Sequence, residues 1–125
     1  MHENDISYII RGAAFKVHST LGVGLFESVY EAALAYEIAQ KGLEVKTQVP
    51  VPMMYAGIKF DVAFRLDIIV EDKVIFEVKS VSELIDIHHK QLLTYLKLTN
   101  KKLGLLINFN SSSLNQSIIR IANKL

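Results

Sequence analysis

The sequence predicts an α/β protein in which helices flank a central mixed sheet of four strands. Apolar residues recur at helical spacing over the first 41 residues and again over 86–99. The segments between and after these regions carry short apolar runs rich in Val, Ile and Phe, a pattern typical of strands. The last run, 102–109, is strongly apolar and follows a helix, which indicates a buried strand reached by a helical crossover.

Length and composition set the broad class of the protein. The 125 residues are enough for one domain, 1–125, because a chain of this size buries roughly two-thirds of its unfolded surface. Half of the residues are apolar, which excludes a disordered chain, and the net charge of +1 provides no long-range field for collecting nucleic acid. The lack of cysteine excludes disulfides, thiolate catalysis and Cys-type zinc sites. With no signal peptide and no long apolar run, we expect a cytoplasmic protein without a membrane partner.

Four helices are expected from the apolar periodicity and the capping signals. The first begins at Asp5 as its cap and stops at Gly22, and the second runs from about Phe26 to Lys41. The third covers about 86–99, and the last dozen residues are expected to form a short fourth helix.

The strands are expected to start at Glu44. Pro50 and Pro52 place the first strand at an edge or a bulge, because proline cannot donate to a ladder. Ala56-Gly57 marks the turn that follows, and Glu71-Asp72 is the polar connection of a hairpin. The remaining strands are expected at 58–70, 73–79 and 102–109.

Side chains alternate across a strand, so Glu77 and Lys79 point to the same face of the sheet. Asp67 lies in the partner strand, and its position depends on the turn between them. A two-residue turn pairs Asp67 with Phe76, whereas a three-residue turn that includes Lys73 pairs it with Glu77. Joint chemistry of Asp67 and Glu77 therefore requires the three-residue turn or a bulge.

Two carboxylates on adjacent strands repel each other unless a cation lies between them. Hard oxygen ligands of this kind suit Mg²⁺ or Mn²⁺. Glu27 can supply a third carboxylate, because its spacing to Tyr30 and Leu34 puts it on the helix face expected to pack on the sheet. Glu27, Asp67 and Glu77 are therefore the candidate metal ligands.

At this point the residues resemble a known family. The segment Gly24-Leu25-Phe26-Glu27-Ser28-Val29-Tyr30 resembles the signature of the GxxExxY proteins, a branch of the PD-(D/E)XK nuclease superfamily. Asp67 and Glu77-x-Lys79 continue the resemblance, and Gln91 to Tyr95 looks like the QxxxY helix of RecB-like nucleases. The plainest departure is Val23, which stands where a proline usually separates the two glycines.

The resemblance implies a restriction-endonuclease-like core that hydrolyses phosphodiester bonds in DNA. Glu27, Asp67, Glu77 and the backbone carbonyl of Val78 would hold one or two Mg²⁺, with no organic cofactor. A bound Mg²⁺ would polarise the phosphoryl oxygen and help to deprotonate the attacking water. Lys79 would orient that water or stabilise the transition state, and its role as a general base stays open. Small nucleases of this fold often dimerise, so a homodimer is also left open.

Three polar side chains of the third helix share one stripe, namely His88, Gln91 and Tyr95. The resemblance implies that Gln91 and Tyr95 brace the lysine or the DNA backbone. Tyr30 and Tyr95 are also explained as core residues with a hydrogen-bonded hydroxyl, and His88 is equally explained as a surface residue. His18 is interpreted as a structural histidine.

Two other functions use the same residues. A non-catalytic binding or assembly module would keep the fold without holding metal at the carboxylates. A phosphoesterase acting on a small ligand would use the same metal chemistry in a closed pocket instead of an open groove.

Overall fold

The computed structural model describes residues 1–61 and 64–125 in full. The helices are α1 (Glu3–Leu21), α2 (Glu27–Gln40) and α3 (Asp86–Thr99), and one turn of 3₁₀ helix covers Leu114–Ser117. The strands are β1 (Val45–Tyr55), β2 (Ile58–Val70), β3 (Val74–Lys79), β4 (Leu103–Asn108) and β5 (Ile118–Ala122).

The five strands form one sheet in the order β1-β2-β3-β4-β5. All neighbouring strands are antiparallel except β3 and β4, which are parallel and are joined by α3. The predicted α/β class, the mixed sheet and the helical crossover are therefore confirmed. The predicted count of four strands is wrong by one.

The extra strand replaces the helix predicted at the C-terminus. Residues 118–122 pair antiparallel with β4 instead of coiling. Ile118 packs in the core on one face of the sheet, while Ile119 and Ile121 pack on the other face. Alternation with period two buries Ile118, partly buries Ile119 and Ile121, and also pairs the edge of β4, which a helix at this position would leave open.

Helix α1 begins earlier than predicted. His2 is its N-cap, and its Nδ1 accepts a hydrogen bond of 3.0 Å from the Asn4 N–H. Asp5 lies instead in the first turn, where a carboxylate is favoured by the helix dipole. The predicted bounds of α2 and α3 agree with the structure to within one residue.

The sheet separates two hydrophobic clusters. Helices α1 and α2 cover one face, where Tyr30, Phe76 and Phe109 are fully buried. Helix α3 covers the other face, where Leu92 and Leu96 pack on the strands. Consecutive residues of β3 alternate between the two clusters, so each residue of this strand can be assigned to a face.

Strand β1 lies at the edge of the sheet, as its prolines predict. Its ladder with β2 shifts register between Val51 and Met53, so Pro52 lies at the irregularity. The hairpin then turns at Ala56 and Gly57, which have φ angles of 51° and 77°.

Candidate active site

The turn between β2 and β3 has the register that the chemistry requires. Val70 pairs with Val74, so the turn holds three residues and includes Lys73. The Lys73 N–H closes the turn with a 3.0 Å hydrogen bond to the Val70 carbonyl. The pairing of Ile68 with Phe76 places Asp67 opposite Glu77, one step further along the same ladder. Of the two turns that the sequence left open, the structure has the three-residue turn, which is the one that joint chemistry of Asp67 and Glu77 requires.

Asp67 lies where β2 changes the face that its side chains present. Ile68 packs in the cluster under α1 and α2, whereas Leu66 packs in the cluster under α3. In a regular strand these two residues would share a face, so the alternation breaks at Asp67. On β1, Gln48 has a φ of 51°, and the β1–β2 pairs run from Thr47–Ile68 directly to Val49–Leu66. At this break the Asp67 carboxylate accepts a 2.9 Å hydrogen bond from the Val78 N–H.

Glu77 is a buried carboxyl group, with only 5% of its surface exposed. It shares a face with Ile75, the side of the sheet covered by α3. Burial raises its pKa from an ordinary 4.5 to about 9, with further upward contributions from a hydrogen bond to Asp67 and the Asp67 charge and a downward one from Lys79. Its Oε1 atom is buried without a hydrogen-bond partner among the described residues. The site therefore contains a buried oxygen to which none of the described groups donates a hydrogen bond.

Glu27 and Asp67 meet at a small cavity on the α2 side of the sheet. The cavity has a volume of about 110 Å³ and is also lined by Ser28, Glu31, Gln48 and Val78. Glu27 is exposed and is the first residue of α2. Asp67 thus shares a cavity with Glu27 on one side of the sheet and interacts with the carboxyl of Glu77, which lies on the other side.

Glu31 belongs to this cavity and was missed by the sequence analysis. Burial, followed by repulsion from Asp67 and Glu27, raises its pKa, while a hydrogen bond from Gln48 opposes the rise. The Gln48 amide donates that bond over 2.7 Å. The signal for Glu31 was present in the sequence, because residues four apart on a helix share a face.

The loop before Glu27 is held at several points. The Tyr30 hydroxyl donates to the Gly22 carbonyl at 2.6 Å and accepts from the Leu25 N–H at 3.2 Å. The Tyr30 ring is fully buried and stacks on Phe109, with ring centroids 4.6 Å apart. Tyr30 is therefore a core residue with a hydrogen-bonded hydroxyl, which was one of its two interpretations, and it fixes the loop that leads into Glu27.

Lys79 ends β3 and is half-buried. Its charge lowers the pKa of Glu77, so the ammonium group lies within electrostatic range of that carboxyl. Beside it on β4, the buried Asn108 accepts from the Val81 N–H at 3.1 Å and donates to the Val81 carbonyl at 3.0 Å. These bonds fix the chain that follows Lys79.

Helix α3 contributes Tyr95 to the site. Its ring stacks on Phe64 with centroids 4.1 Å apart. Burial raises the pKa of Tyr95, and the charges of Glu77 and Asp67 raise it further. Gln91 is exposed on the same helix. His88 instead caps the helix, since its Nδ1 accepts a 3.2 Å hydrogen bond from the Ile85 N–H.

Outside the site, His18 has the structural role expected for it. Its Nε2 lies 2.7 Å from the Ser111 carbonyl.

The donor set fits a hard divalent cation in its chemistry. Carboxylate oxygens from Glu27, Asp67 and Glu77 are of the type that Mg²⁺ prefers, and Glu77 Oε1 is the buried oxygen that a cation would satisfy. Their positions fit less well, because among the described residues no three His, Cys, Asp or Glu side chains lie close enough together to hold a metal ion.

A larger cavity lies away from these carboxylates. It has a volume of about 530 Å³ and is lined mostly by hydroxyl and amide groups near the ends of β3 and β4, including Ser82, Asn108, Asn110, Ser111 and Gln116, together with Glu83 and His89. Glu27, Asp67 and Glu77 are not among the residues that line it.

Among the described residues, no helix has the length and apolar character that crossing a membrane requires.

Comparison with known proteins gives one match. A family model described as PD-(D/E)XK nuclease superfamily covers residues 4–121. No curated protein and no solved structure matches the chain.

Proposed function

Because the chain belongs to the PD-(D/E)XK nuclease superfamily, we propose that it is a metal-dependent nuclease that hydrolyses phosphodiester bonds in DNA. Members of this superfamily are usually metal-dependent nucleases. The observation that carries the proposal is the position of Asp67. It lies close enough to the buried carboxyl of Glu77 to raise its pKa, and it lines the same cavity as Glu27. Within the superfamily we assign the chain to the GxxExxY branch, on the segment from Gly24 to Tyr30, with a RecB-like QxxxY helix from Gln91 to Tyr95.

In this proposal Glu27, Asp67, Glu77 and the carbonyl of Val78 hold Mg²⁺ or Mn²⁺. When bound, the cation supplies positive charge that polarises the phosphoryl oxygen and lowers the pKa of the attacking water. Lys79 donates hydrogen bonds from its ammonium group to the phosphate or to that water. Tyr95 borders the carboxyls from α3, and Gln91, which is exposed on the same helix, contacts the DNA backbone.

The nuclease proposal is tested with purified protein, Mg²⁺ or Mn²⁺, and single-stranded, double-stranded and branched DNA. We expect metal-dependent cleavage that Glu77→Ala and Lys79→Ala each reduce by about 100-fold or more, since the first removes a proposed metal ligand and the second a positive charge beside the reacting phosphate. Glu3→Ala and Lys41→Ala remove the same types of side chain away from the site and should leave the rate unchanged. Cleavage that survives both site variants would contradict the proposal.

Metal binding gives a second readout that does not depend on activity. A carboxyl group must lose its proton to ligate a metal, and the pKa of about 9 keeps Glu77 protonated at pH 7. Titration calorimetry in buffers of different ionisation enthalpy should therefore show about one proton released for each Mg²⁺ bound at pH 7.

A non-catalytic module of the same fold is the second candidate. It is favoured by one observation, the lack of a gathered three-residue metal cluster in the described part of the chain. For such a module, calorimetry would show no Mg²⁺ binding that Asp67→Ala removes. The two functions therefore give opposite results in the same titration.

A further inference from the structure

Phe26 is the residue directly before Glu27, and 84% of its surface is exposed. In the described part of the chain no other large apolar side chain is as exposed, although Tyr8 at 80% comes close. It is the N-cap residue of α2. An aromatic ring is therefore exposed to solvent on the residue next to Glu27, which lines the small cavity with Asp67.

Folding does not explain an aromatic residue at this position. An N-cap is normally Ser, Thr, Asp or Asn, whose side chain accepts a hydrogen bond from the first turn. Phe26 makes no such bond, so the helix forgoes a cap. The ring is also left in water instead of in either core cluster. The missing cap and the exposed ring both reduce stability, which points to a role of the ring outside folding.

The backbone that carries Phe26 is nevertheless held firmly. Gly24 N–H donates to the side chain of Asn110 at 3.1 Å, and the Leu25 N–H donates to Tyr30. The Leu25 carbonyl accepts a 2.7 Å hydrogen bond from the hydroxyl of Ser80, the residue after Lys79. The backbone next to Phe26 is thus hydrogen-bonded to the end of the strand that carries Glu77 and Lys79, which fixes where the ring is attached relative to the site.

We propose that Phe26 is a stacking platform for an unpaired nucleobase next to the scissile phosphate. An exposed aromatic face binds any unpaired base, because every base has a π-face, whereas the bases of an intact duplex are stacked on one another. The ring therefore makes the protein prefer single-stranded or frayed DNA over intact duplex. This inference rests on the proposed nuclease function and names its substrate class.

The place of the ring in the fold suits the substrate of the nuclease better than a separate protein partner. The next residue is the proposed metal ligand Glu27, and the Leu25 carbonyl is bonded to Ser80, the residue after Lys79. Exposed apolar residues also lie near the ring, namely Val23, Leu25 and Val29, so a protein contact is the alternative that sedimentation tests. Asn110, which holds Gly24, also lines the 530 Å³ cavity, where hydroxyl and amide groups that can bind the polar edges of nucleotides accompany Glu83 and His89.

A fluorescence experiment tests base stacking directly, since the protein contains no tryptophan. Phe26→Trp introduces a single reporter at the proposed platform, and Tyr36→Trp introduces one at another exposed position of α2. DNA is added in EDTA so that nothing is cleaved. We expect single-stranded DNA to quench Phe26→Trp but not Tyr36→Trp, and blunt duplex to quench neither.

Affinity measurements complete the test. Phe26→Ala and Phe26→Leu should each weaken single-strand binding about 10-fold and leave duplex binding unchanged, while Phe26→Trp should bind as well as the parent protein. Equal losses on single-stranded and duplex DNA, or the absence of quenching, would overturn the inference. So would a change in self-association on sedimentation of Phe26→Ala, since the ring would then be a protein contact.

Failure of this inference is distinguishable from failure of the nuclease proposal. If the parent protein cleaves DNA in Mg²⁺ but Phe26→Ala treats both DNA forms alike, only the stacking platform is wrong. If quenching occurs and no metal supports cleavage, base stacking stands and the nuclease function fails.

Discussion

At the scale of single residues, the burial of the Glu77 carboxyl costs folding free energy. This carboxyl group lies on the face of β3 that also carries Ile75, and one of its oxygens is buried without a partner in the part of the chain that the structure describes. A buried acid of this kind stays protonated well above its ordinary pKa, because the charged form loses its hydration. Stability alone would favour an apolar residue here, so the carboxyl is best explained by the chemistry proposed for it.

The raised pKa of Glu77 predicts how stability depends on pH. Between about pH 4.5 and pH 9 the folded protein binds a proton at Glu77 that the unfolded chain has released. The free energy of unfolding should therefore fall as pH rises through this window, by up to about 1.4 kcal/mol per pH unit. Glu77→Gln, which is neutral at every pH, should remove this slope and be the more stable protein at pH 8.

Urea denaturation in EDTA at several pH values measures both proteins. Glu83→Gln, a substitution at an exposed glutamate, is the matched control and should keep the slope of the parent protein. Parallel pH profiles for the parent protein and Glu77→Gln would show that Glu77 is already ionised in the folded state.

Tyr30 gives the second prediction at this scale. Tyr30→Phe keeps the ring that stacks on Phe109 but leaves the Gly22 carbonyl and the Leu25 N–H without the hydroxyl. We expect a loss of roughly 1–3 kcal/mol in unfolding free energy. Because the same hydroxyl fixes the loop before Glu27, affinity for Mg²⁺ should also fall. Tyr36→Phe, at an exposed tyrosine, is the control, and an unchanged metal affinity in Tyr30→Phe would limit Tyr30 to a purely structural role.

At the scale of elements, the β2–β3 turn decides which side chains meet. Glu71 and Asp72 both have a φ of 54°, a left-handed conformation that favours glycine. Contacts with other parts of the chain stabilise the turn. The Glu71 side chain accepts a 2.6 Å hydrogen bond from the Glu44 N–H, and Asp72 Oδ1 lies 3.3 Å from Lys101 Nζ. The sequence indicated that joint chemistry of Asp67 and Glu77 needs a three-residue turn or a bulge, but it could not show which turn forms, since these contacts come from distant parts of the chain.

Substituting the two turn residues separately tests this account. Asp72→Gly relieves the left-handed strain and loses only an ion pair in which the Asp72 side chain is 74% exposed, so it should stabilise the protein by up to about 1 kcal/mol. Glu71→Gly relieves the same strain but leaves the Glu44 N–H without its partner, and should be about 1 kcal/mol less stable than Asp72→Gly. Chemical denaturation measures the difference, and equal stability of the two variants would refute the role of Glu71.

At the scale of the whole molecule, periodicity was sufficient to predict helices α1 to α3 and the positions of the first four strands along the chain. It failed at β5, because Ile118 and Ile121 are three apart, a spacing that also suits a helix. Pairing with the edge of β4 decides the outcome there, and no local pattern reports it. The break in alternation at Gln48 and Asp67 was equally out of reach, since a left-handed glutamine has no sequence signal. Helical spacing puts Glu31 on the same face as Glu27, but only the tertiary structure shows that Glu31 lines the cavity and that Phe26 is exposed.

The net charge of the molecule predicts how DNA binding depends on salt. With a net charge of +1, the DNA affinity that we propose must come from a few local cations such as Lys79 and from stacking on Phe26. If about two to four phosphates are contacted, log K should fall with log[salt] with a slope of about −1.5 to −3 for single-stranded DNA. Fluorescence anisotropy between low and moderate salt measures the slope, and Lys79→Gln should reduce it by about 0.7, the contribution of one phosphate. Phe26→Ala should lower the affinity without changing the slope, because stacking releases no counterions; a slope steeper than about −5 would instead indicate an extended basic surface.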